Sequence, residues 1–374
     1  LANPEADRAG YKVYYDTDSK YPYEGTGADQ GDSPIDVGDV TSFALTGLEQ
    51  GTLYYFAVTA YDTDTDGSED QKAGNESWFS LEKSAELSEP PAADFSAAPT
   101  SGPASLLVNF TNLSSGDYTT CAWDFGDGGT STSCSPSHTY TSAGIYTVSL
   151  TVSGPGGTDV ETKTGYITVY TPVSANFSAA PTSGLLPLLV TFTNLSSGDY
   201  TSCAWNFGDG GTSTECTDPT HTYASAGVYT VALTVSGPGG TDVETKTGYI
   251  TVYTPVSANF SGAPISGPAS LLVSFTNLSS GDYTSCSWNF GDGGTSTSCS
   301  PSHTYTSAGT YTVALTVSGP GGTDTETKAG YITVYTPVLA DFSAAPTNGP
   351  VSLLVSFTNL SSGDYTTCAW DFGD

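Results

Sequence analysis

The residues best suited to chemistry in this sequence are a run of alternating carboxylates, Asp-Thr-Asp-Thr-Asp-Gly at residues 62–67. Carboxylates at every second position, with glycine at the sixth, are typical of the first half of a calcium-binding loop. Ala73 stands at the twelfth position, where glutamate is usual, so Asp70 or Glu76 would have to complete the site. The sequence therefore predicts calcium as a cofactor of Asp62, Asp64, Asp66 and Asp70, with a solvated acidic loop as the alternative.

Catalytic chemistry is not indicated. His138, His221 and His303 are the three histidines, and each lies two residues before a tyrosine. One histidine at a time cannot build a multi-histidine metal site, so we expect each to be structural, bonded to neighbouring backbone. Neither Gly-x-Ser-x-Gly nor His-Glu-x-x-His occurs, so two common hydrolase signatures are missing. We expect no enzyme activity from this chain.

The charge of the chain restricts its partners. The 374 residues carry 39 Asp and Glu but 8 Lys and Arg, a formal net charge of −31. Such a surface repels phosphates, which argues against nucleic acid and against anionic lipid as partners. Divalent cations are the natural counter-ions. No apolar run approaches 18 residues, so we expect no membrane insertion.

The sequence repeats itself with a period of about 82 residues. Residues 153–178 and 236–261 are identical, and an aromatic position recurs at spacings of 82, 83 and 82. The extra residue lies in the second repeat, where Cys-Thr-Asp-Pro-Thr-His replaces Cys-Ser-Pro-Ser-His, and we interpret this position as a loop. The recurring tryptophans, which we expect in the cores, are Trp123, Trp205, Trp288 and Trp370.

Each repeat divides into about seven short β-strands separated by Gly, Pro, Asn and Asp. In the first repeat we predict strands at 93–97, 106–112, 121–125, 130–134, 146–152, 160–164 and 166–170. The 146–152 segment alternates apolar and polar residues, as a half-buried strand does. The predicted fold class is all-β, with tandem immunoglobulin-like β-sandwiches in an elongated array.

The cysteines suggest one hairpin in each repeat. Cys121 and Cys134 are centred between Asp127 and Gly128, and Asp-Gly is the preferred pair for a two-residue type I′ turn. A hairpin centred there places the two cysteines directly opposite each other, close enough for a disulfide. Reduced thiols or zinc ligands are the alternative. The predicted disulfides, which imply an oxidising compartment, are Cys121–Cys134, Cys203–Cys216 and Cys286–Cys299.

The repeat resembles the PKD (polycystic kidney disease) domain family. The resemblance rests on Cys-Ala-Trp-Asp-Phe-Gly-Asp-Gly, then His-Thr-Tyr, then Ala-Gly-Ile-Tyr-Thr-Val, and covers residues 92–374. It implies an extracellular β-sandwich used for surface display, adhesion or proximity to a substrate. It also implies that Asp94, Asn176, Asn259 and Asp341 could contribute to calcium sites near module junctions, with capping of a turn as the alternative.

Residues 1–88 differ from the repeats and resemble part of a fibronectin type III domain. The resemblance rests on Gly-Tyr-Lys-Val-Tyr-Tyr at 10–15 and on Gly-Thr-Leu-Tyr-Tyr-Phe-Ala-Val at 51–58. At the other end, the sequence stops inside a fourth repeat, which leaves Cys368 without a partner. We expect a window on a longer polypeptide. The predicted domains are 1–88 (partial fibronectin type III), 92–171, 173–254 and 256–337 (complete repeats) and 338–374 (truncated repeat).

Two functions fit these features. The first is a non-catalytic structural or adhesive stalk of a cell-surface or fibre-forming protein, with short proline-containing joints that restrict swivelling. The second is the accessory region of a secreted protease or polysaccharide hydrolase. Either would act outside the cell or at its surface, with other surface proteins, extracellular polymers or further copies of the chain as partners.

Overall fold

The computed structural model describes residues 8–62 and 76–373. Within these residues the chain consists of β-strands and connecting loops, without a helix. None of the described residues therefore belongs to a helix long and apolar enough to cross a bilayer. The strands form one sheet near the start of the chain, then three two-sheet modules, then a two-stranded sheet.

The N-terminal sheet has the strand order β2-β1-β3-β4. Its strands are β1 (Arg8–Asp16), β2 (Ile35–Gly38), β3 (Leu53–Asp62) and β4 (Lys83–Glu86). Tyr15 and Tyr54 are buried on one face of this sheet, and the Tyr54 hydroxyl accepts a hydrogen bond from the Glu49 amide at 3.0 Å. A tyrosine that ties a strand to the preceding loop in this way is common in sandwich domains.

Module 1 is a sandwich of a three-stranded and a five-stranded sheet, with the orders β10-β7-β5 and β6-β12-β11-β8-β9. All pairings are antiparallel except that of β6 with β12. The strands are β5 (Phe95–Ala98), β6 (Ser101–Pro103), β7 (Leu106–Asn112), β8 (Thr120–Asp124), β9 (Thr130–Ser131), β10 (Ser137–Tyr140), β11 (Gly144–Gly154) and β12 (Gly157–Tyr170). Between β5 and β6 the chain crosses from the edge of the three-stranded sheet to the edge of the five-stranded sheet, which closes an immunoglobulin-like sandwich.

Modules 2 and 3 repeat this plan, and module 4 contributes one pair of strands. Module 2 comprises β13 (Phe177–Ala180), β14 (Ser183–Leu185), β15 (Leu188–Asn194), β16 (Ser202–Asn206), β17 (Thr212–Ser213), β18 (Thr220–Tyr223), β19 (Gly227–Gly237) and β20 (Gly240–Tyr253). Module 3 comprises β21 (Phe260–Ala263), β22 (Ser266–Pro268), β23 (Leu271–Asn277), β24 (Ser285–Asn289), β25 (Thr295–Ser296), β26 (Ser302–Tyr305), β27 (Gly309–Gly319) and β28 (Gly322–Tyr335). Module 4 comprises β29 (Phe342–Ala345) and β30 (Ser356–Asn359).

Alternating side chains build each module core. In β7, Leu106, Val108 and Phe110 are buried while the residues between them face outward. Trp123 packs against Phe95 and Phe110 from the facing sheet, with ring centroids 5.0 and 5.2 Å apart. This period-two pattern confirms the predicted all-β, immunoglobulin-like fold class.

The predicted strand list needs several corrections, and one of them is that β9 ends at Ser131 and not at residue 134. The segments 160–164 and 166–170 are one strand, β12, with a bulge where Gly165 has a φ of 61°. The short strands β6 and β10 were not predicted, because three or four residues are too few to show a period. Strand β5 begins at Phe95, two residues later than predicted.

The fourth tryptophan is also placed differently from expectation. Trp123, Trp205 and Trp288 are buried, but Trp370 is 40% exposed. In module 1, strand β11 pairs with the strand that carries Trp123, at Leu150. Among the described residues no strand pairs with the segment that carries Trp370, and its ring contacts those of Phe342, Phe357 and Phe372.

Candidate functional site

The turn that follows each core tryptophan departs from the predicted type I′ hairpin. Asp124 pairs with Thr130, and the Phe125 amide donates to the Gly129 carbonyl at 3.1 Å. The turn is therefore centred on Asp127, half a residue earlier than predicted, and its register is shifted by one. The ladder ends at Ser131, so the predicted direct cross-strand pairing of the two cysteines is wrong.

The disulfides form despite this shift in register. Cys134 lies beyond the end of β9 and is joined to Cys121 with the Cα atoms 5.2 Å apart. The same Cα separation occurs in modules 2 and 3, at Cys203–Cys216 and Cys286–Cys299. Cys368 is a free, exposed thiol. Each bridge closes a short loop around the turn and fixes it beside the buried tryptophan.

Two aspartates explain why the turn is longer than predicted. Asp124 Oδ1 accepts the Gly126 amide at 2.9 Å, and Asp127 Oδ1 accepts the Gly129 amide at 2.8 Å. Gly126 has a φ of 82°, and a Cβ there would lie 2.3 Å from the Thr147 carbonyl oxygen. Asn206 makes the equivalent bond in module 2, so this position needs an oxygen acceptor but no charge.

Each histidine is bound by the carboxylate of this turn. His138 Nε2 lies 2.7 Å from Asp127 Oδ2, and its ring stacks on Phe125 at a centroid distance of 4.2 Å. The prediction that the histidine bonds to backbone is wrong, because its partner is a side chain eleven residues away. The pair recurs with the same 2.7 Å distance at His221–Asp209 and His303–Asp292.

The pKa values around this pair agree with a structural role. Partial burial alone would raise the pKa of the Asp127 carboxyl, but the hydrogen bonds from His138 and from the Gly129 amide outweigh it and lower the pKa. Burial, with a smaller contribution from Asp127, raises the pKa of Tyr140. The Tyr140 hydroxyl donates to the Phe125 carbonyl at 3.0 Å. The cluster holds a fixed carboxylate and a neutral phenol, and both are committed to the turn.

Each complete module contains one lysine, and it is packed against the sandwich. Lys163 Nζ lies 4.7 Å from the Phe95 ring centroid and 5.5 Å from that of Tyr166, and it donates to the Phe95 carbonyl and to Asp94 Oδ1. Asp94 Oδ1 also accepts the Phe95 amide at 2.7 Å. This arrangement resembles the capping alternative for Asp94 rather than an open calcium ligand. The equivalent lysines are Lys246 and Lys328.

The predicted calcium loop falls largely outside the described residues. Asp64, Asp66 and Asp70 are not described, and Asp62 is described only as the last residue of β3. Glu76, the candidate to complete the loop, accepts hydrogen bonds from Tyr14, Thr59 and Lys12. In residues 8–62 and 76–373, no group of three or more His, Cys, Asp or Glu side chains is placed to hold a metal ion.

A joint clamp, formed by the Gly-Asp pair of Ser-Ser-Gly-Asp-Tyr, captures the chain that enters a module. In module 3, Asp282 Oδ2 accepts the Thr254 amide at 2.6 Å, and the Asp282 amide donates to the Thr254 carbonyl at 3.1 Å. Thr254 directly follows Tyr253, the last residue of β20. No free linker residue therefore separates the last strand of module 2 from its attachment to module 3.

The joint clamp recurs at other joints. Asp117 binds Glu89 in both directions, at 2.8 and 3.0 Å, and Asp364 binds Thr336 at 2.6 and 3.1 Å. At the start of module 1, the Leu87 amide is already bonded to the Thr52 carbonyl of the N-terminal sheet. Ser88 is thus the single residue between the two attachments.

Glycines make room for the captured chain. A Cβ at Gly281 would lie 2.2 Å from the Pro255 carbonyl oxygen, and one at Gly321 would lie 2.3 Å from that of Thr254. Gly321 also donates its amide to the Asp282 carbonyl at 2.8 Å. A larger residue at either position would displace the linker from the module surface.

Sequence reasoning missed the joint clamp, the lysine cluster and the His–Asp pair. A signal for the joint clamp was present, because Asp117, Asp199, Asp282 and Asp364 recur at the repeat spacing. Their role was hidden because the partner is a backbone group about 28 residues away. No local pattern predicts a contact over that separation.

Three segments of the chain match a known domain family, and parts of it are similar to known proteins. The family model for the PKD domain matches residues 88–169, 172–252 and 263–334. Collagenase ColA of Bacillus cereus is 42% identical over 71 residues, which are 18% of this chain and 7% of that protein. Pre-pro-metalloprotease PrtV of Vibrio cholerae is 40% identical over 77 residues, 19% of this chain and 8% of that protein. The matched segments span less than a tenth of these curated relatives.

Among solved structures, the I-band fragment I67–I69 of titin aligns with a TM-score of 0.48 at 13% identity, over 66% of this chain and 98% of that one. The N-terminal four immunoglobulin domains of a Dscam1 isoform align with a TM-score of 0.29 at 11% identity, over 87% and 91% of the two chains.

Proposed function

The chain belongs to the PKD domain family, and we propose that its modules form a non-catalytic extracellular spacer, the stalk of a cell-surface or fibre-forming protein. The observation that carries this proposal is the joint clamp. A spacer has to transmit position from one module to the next, and a joint without a free linker residue does so. The disulfides support an extracellular location.

The polar residues of the modules support the absence of catalysis. His138 is held by Asp127, and Lys163 is held by Phe95 and Asp94. The histidine stacking and the contact of the lysine with the phenylalanine ring and carbonyl recur in modules 2 and 3, where asparagine replaces Asp94. Groups that are fixed in this way maintain turns and sheet edges, and identical copies do not provide one specialised active site.

Hydrogen exchange measured by mass spectrometry on the whole chain tests the joint clamp. We expect the amides of Thr254 and Asp282 to be protected to the same degree as those of the neighbouring strands. Asp282→Ala should accelerate exchange at Thr254 by at least about tenfold and leave Thr336 unchanged. Asp364→Ala is the matched control and should show the reverse. Exchange at Thr254 as fast as in an unstructured peptide would disprove the proposal.

A second candidate function is supported by the relatives. Collagenase ColA and pre-pro-metalloprotease PrtV are proteases by name, and this chain is similar to a small part of each. The chain would then be the accessory region of a secreted protease or polysaccharide hydrolase. Retention on insoluble collagen, chitin or cellulose would favour this function, and concentration-dependent self-association in analytical ultracentrifugation would favour the stalk.

Two finer assignments also remain proposals. Residues 1–88 are proposed as part of a fibronectin type III domain, supported by the β2-β1-β3-β4 order and by the Tyr54–Glu49 hydrogen bond. We also propose that Asp62, Asp64, Asp66 and Asp70 bind Ca²⁺, because their spacing is typical of a calcium-binding loop. Calorimetric titration of the chain with CaCl₂ tests the calcium site, and the absence of both heat and a melting shift would reject it.

A further inference from the structure

A cleft of about 500 Å³ lies on the N-terminal sheet, on the face that carries Tyr14 and Thr59. This cleft is separate from the turns and joints of the modules. Four aromatic residues and two carboxylates provide the chemistry of its lining, namely Tyr14, Tyr21, Tyr23, Phe79, Glu24 and Glu76. Among the described residues that line it, none is a lysine or an arginine.

The aromatic rings form inclined walls. The Phe79 centroid lies 4.8 Å from that of Tyr14, 5.4 Å from Tyr21 and 5.6 Å from Tyr23. The three ring planes are inclined to Phe79 by 83°, 40° and 64°. Tyr21 is 70% exposed and Phe79 is 37% exposed. A bound group would therefore meet aromatic rings from several directions.

Glu76 is the central hydrogen-bond acceptor of the cleft. Glu76 Oε1 accepts from the Tyr14 and Thr59 hydroxyls, and Glu76 Oε2 is 3.1 Å from Lys12 Nζ. Burial and the hydrogen bond to Glu76 raise the pKa of Tyr14 to about 12, so its phenol stays neutral. Glu24 is exposed at the opening and its side chain adds a second negative charge. Lys12 compensates the charge of Glu76, so the carboxylate of Glu24 is the charge that attracts a cation to the opening.

We propose that this cleft binds the cationic side chain of a lysine or arginine in a basic polypeptide partner. Aromatic faces within about 6 Å of a cation attract it through the ring quadrupole, and a nearby carboxylate adds to that attraction. The net charge of −31 increases the encounter rate with basic partners. The proposal concerns residues 8–88 and does not depend on the spacer function of the modules.

The test uses the whole chain labelled with 4-fluorophenylalanine, and the Phe79 signal is assigned with Phe79→Leu. Nα-acetyl-lysine methylamide and Nα-acetyl-arginine methylamide are titrated in 150 mM salt, and the uncharged probes are Nα-acetyl-norleucine methylamide and cellotriose. We expect the two cationic probes to shift the Phe79 fluorine signal with saturation at millimolar concentrations, and the two uncharged probes to leave it unchanged.

Variants at exposed positions avoid loss of folding. Tyr21→Ala combined with Glu24→Gln should weaken lysine binding by about fivefold or more. Glu86→Gln, an exposed carboxylate on β4, is the matched control and should change the affinity by less than twofold. Equal shifts with norleucine, stronger binding of cellotriose, or unchanged affinity in the double variant would each overturn the proposal.

Discussion

The N-terminal sheet and the repeated modules differ in how many of their polar residues are bonded internally. In module 1 the lysine and the histidine are both bonded inside the module, to Phe95 and to Asp127. In the N-terminal sheet, Tyr21 and Glu24 remain exposed at the edge of an open cleft. Recurring residues thus maintain the sandwich and its joints, whereas the part that is not repeated leaves Tyr21 and Glu24 exposed beside the cleft.

The three modules also differ among themselves, in the hydrogen bonding of the core tryptophan. The extra residue in the second repeat alters the loop after Cys216, and Trp205 Nε1 donates to the Glu215 carbonyl at 2.9 Å. In modules 1 and 3 the buried Nε1 atoms of Trp123 and Trp288 have no hydrogen-bond partner. The module that carries the insertion thus differs from the other two in the hydrogen bonding of a core residue while it keeps the same strand order.

Removal of a module disulfide should have the largest effect on the free energy of unfolding. Replacing Cys286 and Cys299 by alanine removes a bridge between residues 13 apart, and we expect module 3 to lose about 3 kcal/mol of unfolding free energy. Hydrogen exchange of module 3 peptides in increasing urea measures this loss. Peptides of the N-terminal sheet are the internal control. Unchanged protection in module 3 would contradict a structural role for the bridge.

Lysine substitutions compare the two regions directly. Lys246→Met removes a cation that lies 4.8 Å from the Phe177 ring centroid and donates to the Phe177 carbonyl at 2.5 Å. We expect module 2 to lose about 1–2 kcal/mol of unfolding free energy. Lys83→Met, at an exposed position of β4, should change stability by less than about 0.5 kcal/mol. Urea unfolding followed by hydrogen exchange measures both, and equal effects would refute the comparison.

Acid should weaken the modules through the turn aspartates. Burial opposes ionisation of Asp127, Asp209 and Asp292, but hydrogen bonds from histidine and a glycine amide lower each pKa below its ordinary value. The folded pKa is below the unfolded one, so the stabilisation is present above about pH 4 and is lost as pH falls through the folded pKa.

Calorimetric melting between pH 6 and pH 2 measures this loss. A triple variant with asparagine at positions 127, 209 and 292 should melt at a temperature that depends less on pH over that range, because asparagine does not titrate. The turn should be retained, since asparagine can still accept the glycine amide, as Asn206 does. If the variant and the native chain lose melting temperature equally on acidification, the turn aspartates do not contribute as described.

The smallest expected effect separates the modules from one another. With ¹⁵N-labelled tryptophan, the indole N–H of Trp205 should exchange with solvent several-fold more slowly than those of Trp123 and Trp288, because it alone of the three donates to a protein carbonyl in the structure. All three side chains are equally buried, so burial does not explain a difference. Equal exchange rates would mean that the insertion leaves the core unaffected.

Local pattern predicted much of the fold. Strand β7 coincides with the predicted segment 106–112 because its apolar residues alternate over seven positions. The hairpin register was wrong by one residue because the Asp-Gly pair favoured a two-residue turn, whereas Asp124 and Asp127 stabilise a longer one. Turn type depends on side-chain hydrogen bonds that sequence propensities do not include.

The sites were harder to predict than the fold. The cleft brings Tyr14 to Glu76, 62 residues away, and the joint clamp brings Asp282 to Thr254, 28 residues away. Such contacts follow from the packing of strands that are distant in sequence, so no local motif predicts them. The calcium loop, in contrast, was readable as a motif, and it remains a prediction.

Distances across the joint between modules 2 and 3 show whether the joint clamp fixes one module on the next. Spin labels on cysteines introduced at the exposed positions Thr191 and Ser274, in a Cys368→Ser background, report the distance distribution by pulsed electron resonance. The joint clamp predicts a narrow distribution that broadens in Asp282→Ala and stays narrow in Asp364→Ala. A distribution that is already broad in the native joint, or one that Asp282→Ala leaves unchanged, would contradict the account.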